Sequence, residues 1–299
     1  KETTEDKGNC YAMSFVYSGC FQGEVLKDQL NQTRMMLGLQ EEAFRYPLET
    51  GEMFQAPEVI LSYSSEGMNR LSQNLHHCIR QHICRGKYKE EIRPILINSW
   101  EAAYFDFTGD TIYELAKAAK EVNIDMLVMD DGWFGKRDDD NSGLGDWFVN
   151  EKKLGGTLGN LIKRINDLGV KFGIWIEPEM ANTTSELYEK HPEWVLKAPN
   201  REIVLGRGGT PVVLDLSNPE VQDFIFGIVD NLMTTYPEID YIKWDANMSI
   251  LNHGSQYLPS DQQSHMYIEY HEGFTPILSP SCIGISFIPK KLHALCAAA

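Results

Sequence analysis

The sequence predicts an α/β fold, with parallel βα units of the kind that close into a barrel, preceded by a β-rich segment. Three observations predict it. From Pro94 to Trp244, short apolar runs alternate with segments whose apolar residues recur every three or four positions, the rhythm of parallel strands joined by helices. The residues capable of chemistry stand at the carboxyl end of each apolar run, where barrels and open α/β sheets place their sites. No glycine-rich strand-to-helix turn of the dinucleotide or Walker type is present, which favours a barrel over a nucleotide-binding sheet.

Element by element, Ala12–Ser18, Thr33–Leu37 and Glu58–Tyr63 read as strands, punctuated by Gly19, Gly23, Gly38 and Gly51. They resemble the trailing edge of a β-rich domain. Met68, Leu71, Leu75, Ile79 and Ile83 then mark an amphipathic helix that Gly86 stops. A charged run to Arg93 and Pro94 forms a linker. Beyond it, Ile95–Asn98 is a strand, Thr111–Val122 a helix and Ile124–Met129 a strand. Leu158–Leu168 is a helix and Val170–Ile176 a strand. Val212–Leu216 is extended, and Asn218-Pro219-Glu220 opens a helix with proline at its first position. Ile239–Trp244 is the last strand.

At 299 residues, with 42% hydrophobic and 23% charged residues, the chain has ordinary globular composition and enough length for a large core. Acidic residues outnumber basic ones 43 to 27, for a net charge of −16. A polyanion binder needs a basic face, and no Lys/Arg cluster supplies one; nucleic acid is not an expected partner. No apolar run reaches the roughly 18 residues that span a bilayer. The chain opens on Lys1 without a basic-then-apolar leader and reads as a piece of a longer reading frame. Cys10, Cys20, Cys78, Cys84, Cys282 and Cys296 are scattered. That argues against a disulfide framework and for a reducing cytoplasm.

Lys243-Trp244-Asp245-Ala246-Asn247 is the strongest chemical signal. Alternate residues on a strand share a face, so Lys243, Asp245 and Asn247 converge, and a cation beside Asp245 would keep it ionised. An ionised carboxylate is what covalent attack on a glycosidic carbon requires. On spacing alone, a buried ion pair serving only the fold reads equally well. Asp130-Asp131-Gly132-Trp133 suits sugar hydroxyls with a stacking ring, a hard cation or a solvated turn. Trp100-Glu101 and Trp175 followed by Glu177 and Glu179 repeat the pairing of aromatic and acid at strand ends, although core packing is the simpler use of tryptophan. Asp138-Asp139-Asp140-Asn141 lacks the glycine and terminal glutamate of a calcium loop and reads as a solvated acidic loop. His76, His77, Cys78, His82 and Cys84 fit no zinc spacing. No metal site is expected.

Together the motifs resemble the α-galactosidases of glycoside hydrolase family 36. The matching stretches are NSWEAAYFDF at 98–107, LVMDDGWFG at 127–135, DWFVNEKKLGGTLGNL at 146–161, KFGIWIEPEM at 171–180, HPEW at 191–194, VLDLSNPEV at 213–221 and YIKWDAN at 241–247. GEMFQAPEVILSYSSEGMNRLS, upstream, resembles that family's junction of sandwich and barrel. The resemblance spans roughly residues 10 to 270. It implies the end of a β-sandwich domain over 1–64, a connecting helix and linker over 65–94, the first half of a truncated (β/α)8 TIM-type barrel over 95–270, and an atypical tail over 271–299. It implies a retaining hydrolase releasing terminal α-linked galactose from melibiose- or raffinose-type oligosaccharides, with no cofactor. Asp245 matches the nucleophile. Asp130 and Asp131 match the pair that binds galactose hydroxyls, Trp100 and Trp175 the aromatic walls, and Lys243 and Asn247 sugar-contacting neighbours. Arg207, in GRGGT, matches the pocket arginine.

The resemblance fades after Tyr270. The family's Ser-Asp-Asx-Asp motif, which supplies the acid/base, has no counterpart, and the only later aspartate is Asp261, in a polar loop 16 residues beyond Asp245. The acid/base is therefore not found, the end reads as truncated or frame-shifted, and Cys282 is a faint echo of the family cysteine. Within the family, an α-N-acetylgalactosaminidase or a transglycosylase is the alternative. Outside enzymes, it is a non-catalytic galactose-binding remnant. A homo-oligomeric full-length protein is compatible with either.

Overall fold

The computed structural model describes residues 2–41, 44–84, 87–250 and 253–277. They fall into two compact units, one running to Ile92 and one from Arg93 to Ile277. Gly86, Cys282, Cys296 and the tail beyond Ile277 lie outside the described residues. Cys10, Cys20, Cys78 and Cys84 are free thiols. Among the described residues, no helix is long and apolar enough to cross a membrane.

In the first unit, β1 (Cys10–Phe15) pairs antiparallel with β4 (Val59–Ser64), and β2 (Phe21–Lys27) with β3 (Thr33–Leu39). β2 is an addition to the strands expected from sequence. Its hairpin is closed by Asp28, whose carboxylate accepts the backbone N–H groups of Leu30 and Gln32, each at 2.8 Å. Asn31 takes φ +63°, a conformation asparagine tolerates better than most residues. The expected helix from Met68 to Ile83 is α-helical only over α1 (Gly67–Cys78). It continues as a π-helical turn over Ile79–Ile83, where Cys84 N–H reaches Ile79 C=O at 2.8 Å. A three-to-four residue apolar period does not separate these two hydrogen-bond patterns.

The second unit contains, in chain order, β5 (Leu96–Asn98), α2 (Trp100–Ala103), α3 (Gly109–Glu121), β6 (Met126–Met129), α4 (Glu151–Leu154), α5 (Leu158–Asp167), β7 (Lys171–Ile176), β8 (Met180–Asn182), α6 (Glu186–Lys190), β9 (Pro211–Val213), α7 (Pro219–Thr235), β10 (Ile239–Trp244) and α8 (Met266–Glu272). The four longer-range strands form one parallel sheet in the order β5-β6-β7-β10. β8 and β9 make a separate antiparallel pair. The Asn218-Pro219 start is the one expected from sequence, and two further helices are capped by threonine. Thr108 and Thr111 cap α3 reciprocally, Thr157 caps α5, and Asn218 caps α7 with Pro219 behind it.

Strand alternation divides the parallel sheet into two faces. Leu127, Met129, Phe172, Ile174 and Ile176 are wholly buried on the helix-covered face. There α3 packs on β6 and α5 on β7, contributing Ile112, Leu158 and Ile165, also wholly buried. Asn98, Val128, Gly173, Trp175, Tyr241 and Lys243 share the other face. The register is close enough that a Cβ on Gly173 would stand 3.0 Å from Val128 Cγ2 and 3.1 Å from Tyr241 Cδ1. Because all four strands run the same way, the segments that follow them, at Ser99, Asp130, Glu177 and Asp245, emerge at one end of the sheet.

Candidate functional site

At the end of β6, Asp130 and Asp131 are only 3% and 5% exposed. Asp130 Oδ2 accepts the side-chain amide of Asn98 from β5 and the ammonium of Lys243 from β10, the latter at 2.8 Å. Its backbone N–H donates to Ser99 Oγ at 3.0 Å. Gly132, at φ +101°, makes a turn that a Cβ would strain, and Asp131 on its near side meets the buried Arg137. That guanidinium grips both carboxylate oxygens, with Nε at 3.0 and 3.1 Å and Nη2 at 2.8 Å. Burial pushes the Asp131 carboxyl up, and the guanidinium offsets only part of that rise.

The expectation that Lys243 pairs with Asp245 is corrected here. Its only ion pair among the described residues is with Asp130, at 2.8 Å. The reason lies in the register. Lys243 is level with Trp175 on β7, and Met129 is level with Ile174, so Asp130 is level with Trp175. The lysine side chain crosses β7 at its own level rather than running two residues along its own strand.

Asp245 is instead held by neutral donors. Trp175 Nε1 donates to Oδ2 at 3.0 Å, Asn247 Nδ2 to the same oxygen at 2.9 Å, and the Ala246 backbone N–H to Oδ1 at 3.2 Å. Its own N–H extends the ladder by donating to Ile176 C=O at 2.8 Å. Trp175 is fixed in turn. Its carbonyl accepts Trp133 Nε1 at 2.9 Å, and its ring lies parallel to Phe134, 6.2 Å centre to centre. Asp245 is half-buried and Trp175 buried, so the carboxylate is more open to solvent than the ring that orients it.

Two further acids follow β7. Glu177 is 3% exposed and accepts the Asn247 backbone N–H at 2.6 Å. Burial, with Asp245 and Asp131 nearby, raises its carboxyl to about 7. Glu179 accepts Trp244 Nε1 at 2.8 Å and Tyr270 Oη at 2.9 Å, tying α8 to the end of β10.

The structure thus brings Asp130, Lys243, Trp175, Asp245 and Asn247 into one bonded constellation. Asp131 joins it through the neighbouring residue and Trp100 through its backbone N–H, which donates to Asn98 Oδ1 at 2.8 Å. The Trp100 ring packs edge-on against Tyr104 and Phe105. Glu101 turns outward to the Tyr104 hydroxyl at 2.8 Å. Arg207, with its side chain 78% exposed, pairs with Asp140 at 3.1 Å and reaches the constellation only through that acidic loop. The loop's other acids are also engaged. Asp138 pairs with Lys153 at 3.0 Å, and Asp139 accepts Asn141 N–H and the Ser142 hydroxyl. Asp261 is exposed. Among the described residues, no cluster of His, Cys, Asp and Glu is placed to hold a metal ion.

Sequence reasoning did not single out Arg137. Its signal was an arginine following Asp-Asp-Gly within reach of a single turn. Glu177 is legible as a strand-end acid, but nothing in the spacing shows its bond to residue 247.

Arranged this way, the end of the sheet offers buried, pre-oriented acceptors (Asp130 and Asp131, each paired with a cation) beside a half-buried carboxylate held by an indole and an amide. Such a set can bind neutral hydroxyl groups and direct one carboxylate at a carbon atom. The melibiase family model matches residues 53–279, and the model of the glycosyl hydrolase family 36 N-terminal domain matches residues 1–49. The bifunctional alpha-galactosidase/sucrose kinase AgaSK of Mediterraneibacter gnavus is 58% identical over 250 residues, 84% of this chain and 26% of its own length. Alpha-galactosidase AgaA of Geobacillus stearothermophilus is 43% identical over 295 residues, 95% of this chain and 40% of its own length. The crystal structure of that enzyme superposes with a TM-score of 0.91 at 41% identity, covering 98% of this chain and 42% of the solved one. The chain therefore spans well under half the length of these relatives.

Proposed function

The chain belongs to the melibiase family, the α-galactosidases of glycoside hydrolase family 36, and from that premise we propose that it carries the sugar-binding and nucleophilic half of a retaining α-galactosidase. The observation that carries this reading is the placement of Asp245 against Trp175 and Asn247, at 3.0 and 2.9 Å, beside the Lys243–Asp130 pair at 2.8 Å.

In this reading, Asp130 and Asp131 accept hydrogen bonds from galactose hydroxyls, with Lys243 and Arg137 holding the two carboxylates in place. Trp175 and Trp100 wall the sugar, and Asn247 and Lys243 add donors; Arg207 closes the pocket when drawn in from Asp140. Asp245 attacks the anomeric carbon. Its three neutral donors fix the direction of attack without neutralising the charge, so the oxygen keeps its nucleophilicity while the glycosidic bond breaks. In a retaining enzyme the second carboxyl stands about 5–5.5 Å away, too close for an intervening water, so the first bonds to the sugar itself. Among the described residues, none is assigned as the proton donor for a natural leaving group. The substrates are oligosaccharides of the melibiose and raffinose type; a variant of AgaA has been solved in complex with raffinose. We further propose a cytoplasmic setting, and the division of the chain at residues 64, 94 and 270 into sandwich end, linker, half barrel and tail.

The unassigned proton donor favours one second reading, a galactose-binding remnant without turnover. Two substrates separate them. General acid catalysis contributes roughly 10²- to 10⁴-fold, so the chain should release galactose from melibiose far more slowly than an intact family member does. It should nevertheless release fluoride from an α-galactosyl fluoride, which departs unaided. Saturable galactose binding with no fluoride release would establish the remnant, and ordinary turnover of melibiose would show that the chain does supply a proton donor.

A further inference from the structure

We infer that Glu177 is a positioning residue for Asp245, acting through the peptide group and side chain of Asn247; this rests on reading Asp245 as the nucleophile. The connection is continuous. Glu177 Oε1 accepts the Asn247 backbone N–H at 2.6 Å, and Asn247 Nδ2 donates to Asp245 Oδ2 at 2.9 Å. One residue earlier, Asp245 N–H donates to Ile176 C=O at 2.8 Å. Residues 245–247 are therefore tied to residues 176–177 at two successive points, which prolongs the β7–β10 ladder past the last strand residue. Only the second tie uses a side chain, so that is where substitution can separate the orientation of Asp245 from the fold of the sheet.

Glu177 is also buried, at 3% exposure. The charged groups facing it are Asp245 after β10, Asp131 after β6, and Arg137 in the loop beyond. Burial is the largest influence and the two aspartates act in the same direction, against Arg137, leaving the carboxyl at about 7. Ionised Glu177 thus repels ionised Asp245. When Asp245 forms its bond to the anomeric carbon and the leaving group departs with the bonding electron pair, the Asp245 charge disappears and the repulsion with it. Attack should be faster with Glu177 ionised.

The test uses an activated fluorosugar of α-galacto configuration, a 2-deoxy-2-fluoro-galactosyl fluoride, with the adduct followed by intact mass. In the unsubstituted chain the labelling rate should rise several-fold between pH 6 and 8. Glu177→Gln keeps an acceptor oxygen and removes the titration, so it should label with a flat profile over that range. Glu177→Ala removes the acceptor and should label at least about tenfold more slowly at every pH, as expected for losing a hydrogen bond to a charged group. A pH step surviving in Glu177→Gln, or undiminished labelling in Glu177→Ala, would overturn the inference. If the unsubstituted chain forms no adduct, the nucleophile reading fails on its own. Hydrogen exchange at the Asn247 amide in the sugar-free chain then decides the positioning role, with faster exchange in Glu177→Ala upholding it and unchanged exchange refuting it.

Discussion

At the end of this sheet, burial pushes the carboxyls of Asp131 and Glu177 up from their ordinary values. Glu177 shows the cost. Its carboxyl is ordinary, at 4.5, when unfolded and stands at about 7 in the folded chain. The native state therefore binds the extra proton between those values. Folding stability is unaffected below about pH 4.5, falls as pH rises towards 7, and stays lowered above it. One pKa unit is worth about 1.4 kcal/mol, so the whole penalty is on the order of 3 kcal/mol. Glu177→Gln should consequently raise the urea midpoint at pH 8 and leave it nearly unchanged at pH 4; an equal shift at both pH values would contradict the account. At this scale Asp130, Trp175, Lys243, Asp245 and Asn247 were all legible in the sequence, because strand ends in a parallel sheet converge whatever joins them. Which partner each side chain takes was not. The Lys243–Asp130 pair depends on register between strands more than 100 residues apart, and Arg137 stands directly before the acidic run Asp138-Asp139-Asp140, where no spacing marks it as a partner of Asp131.

The elements themselves were legible where a period could be counted. α3, α5 and α7 announce their apolar faces, and α7 its start as well, while β6 and β7 are short runs apolar on both faces, as a doubly covered parallel strand should be. β2 and β8 were less visible. β8 has three residues, too few to show alternation, and β2 alternates weakly, its residues exposed apart from a half-buried Glu24. The Asp28–Asn31 turn was the available signal for the β2–β3 hairpin. The packing account makes its own prediction. Ile165 on α5 is wholly buried and α5 packs on β7, so Ile165→Ala should destabilise the second unit by about 2–5 kcal/mol. Urea unfolding measures it, and a loss under 0.5 kcal/mol would mean that α5 is not held against the sheet as described.

At the scale of the whole molecule, a four-stranded parallel sheet presents one helix-covered face and one face bearing Asn98, Gly173, Trp175, Tyr241 and Lys243. β5 and β10 each have a partner strand in this sheet on one side only. Everything proposed for function lies at a single end of that sheet, and all of it turns on Asp245 being the atom-transferring carboxylate rather than one acid among several. Asp130 and Asp131 are occupied by Lys243 and Arg137, Glu177 is raised towards neutrality by burial, and Asp245 alone is half-buried, oriented by an indole and without a cationic partner among the described residues. Peptide mapping after exposure to the α-galacto fluorosugar tests most directly whether Asp245 is the carboxylate that bonds to the anomeric carbon. The account predicts one adduct, on Asp245, and none in Asp245→Asn, which keeps the shape and removes the charge. An adduct mapped to Asp130, Asp131 or Glu177 would contradict it.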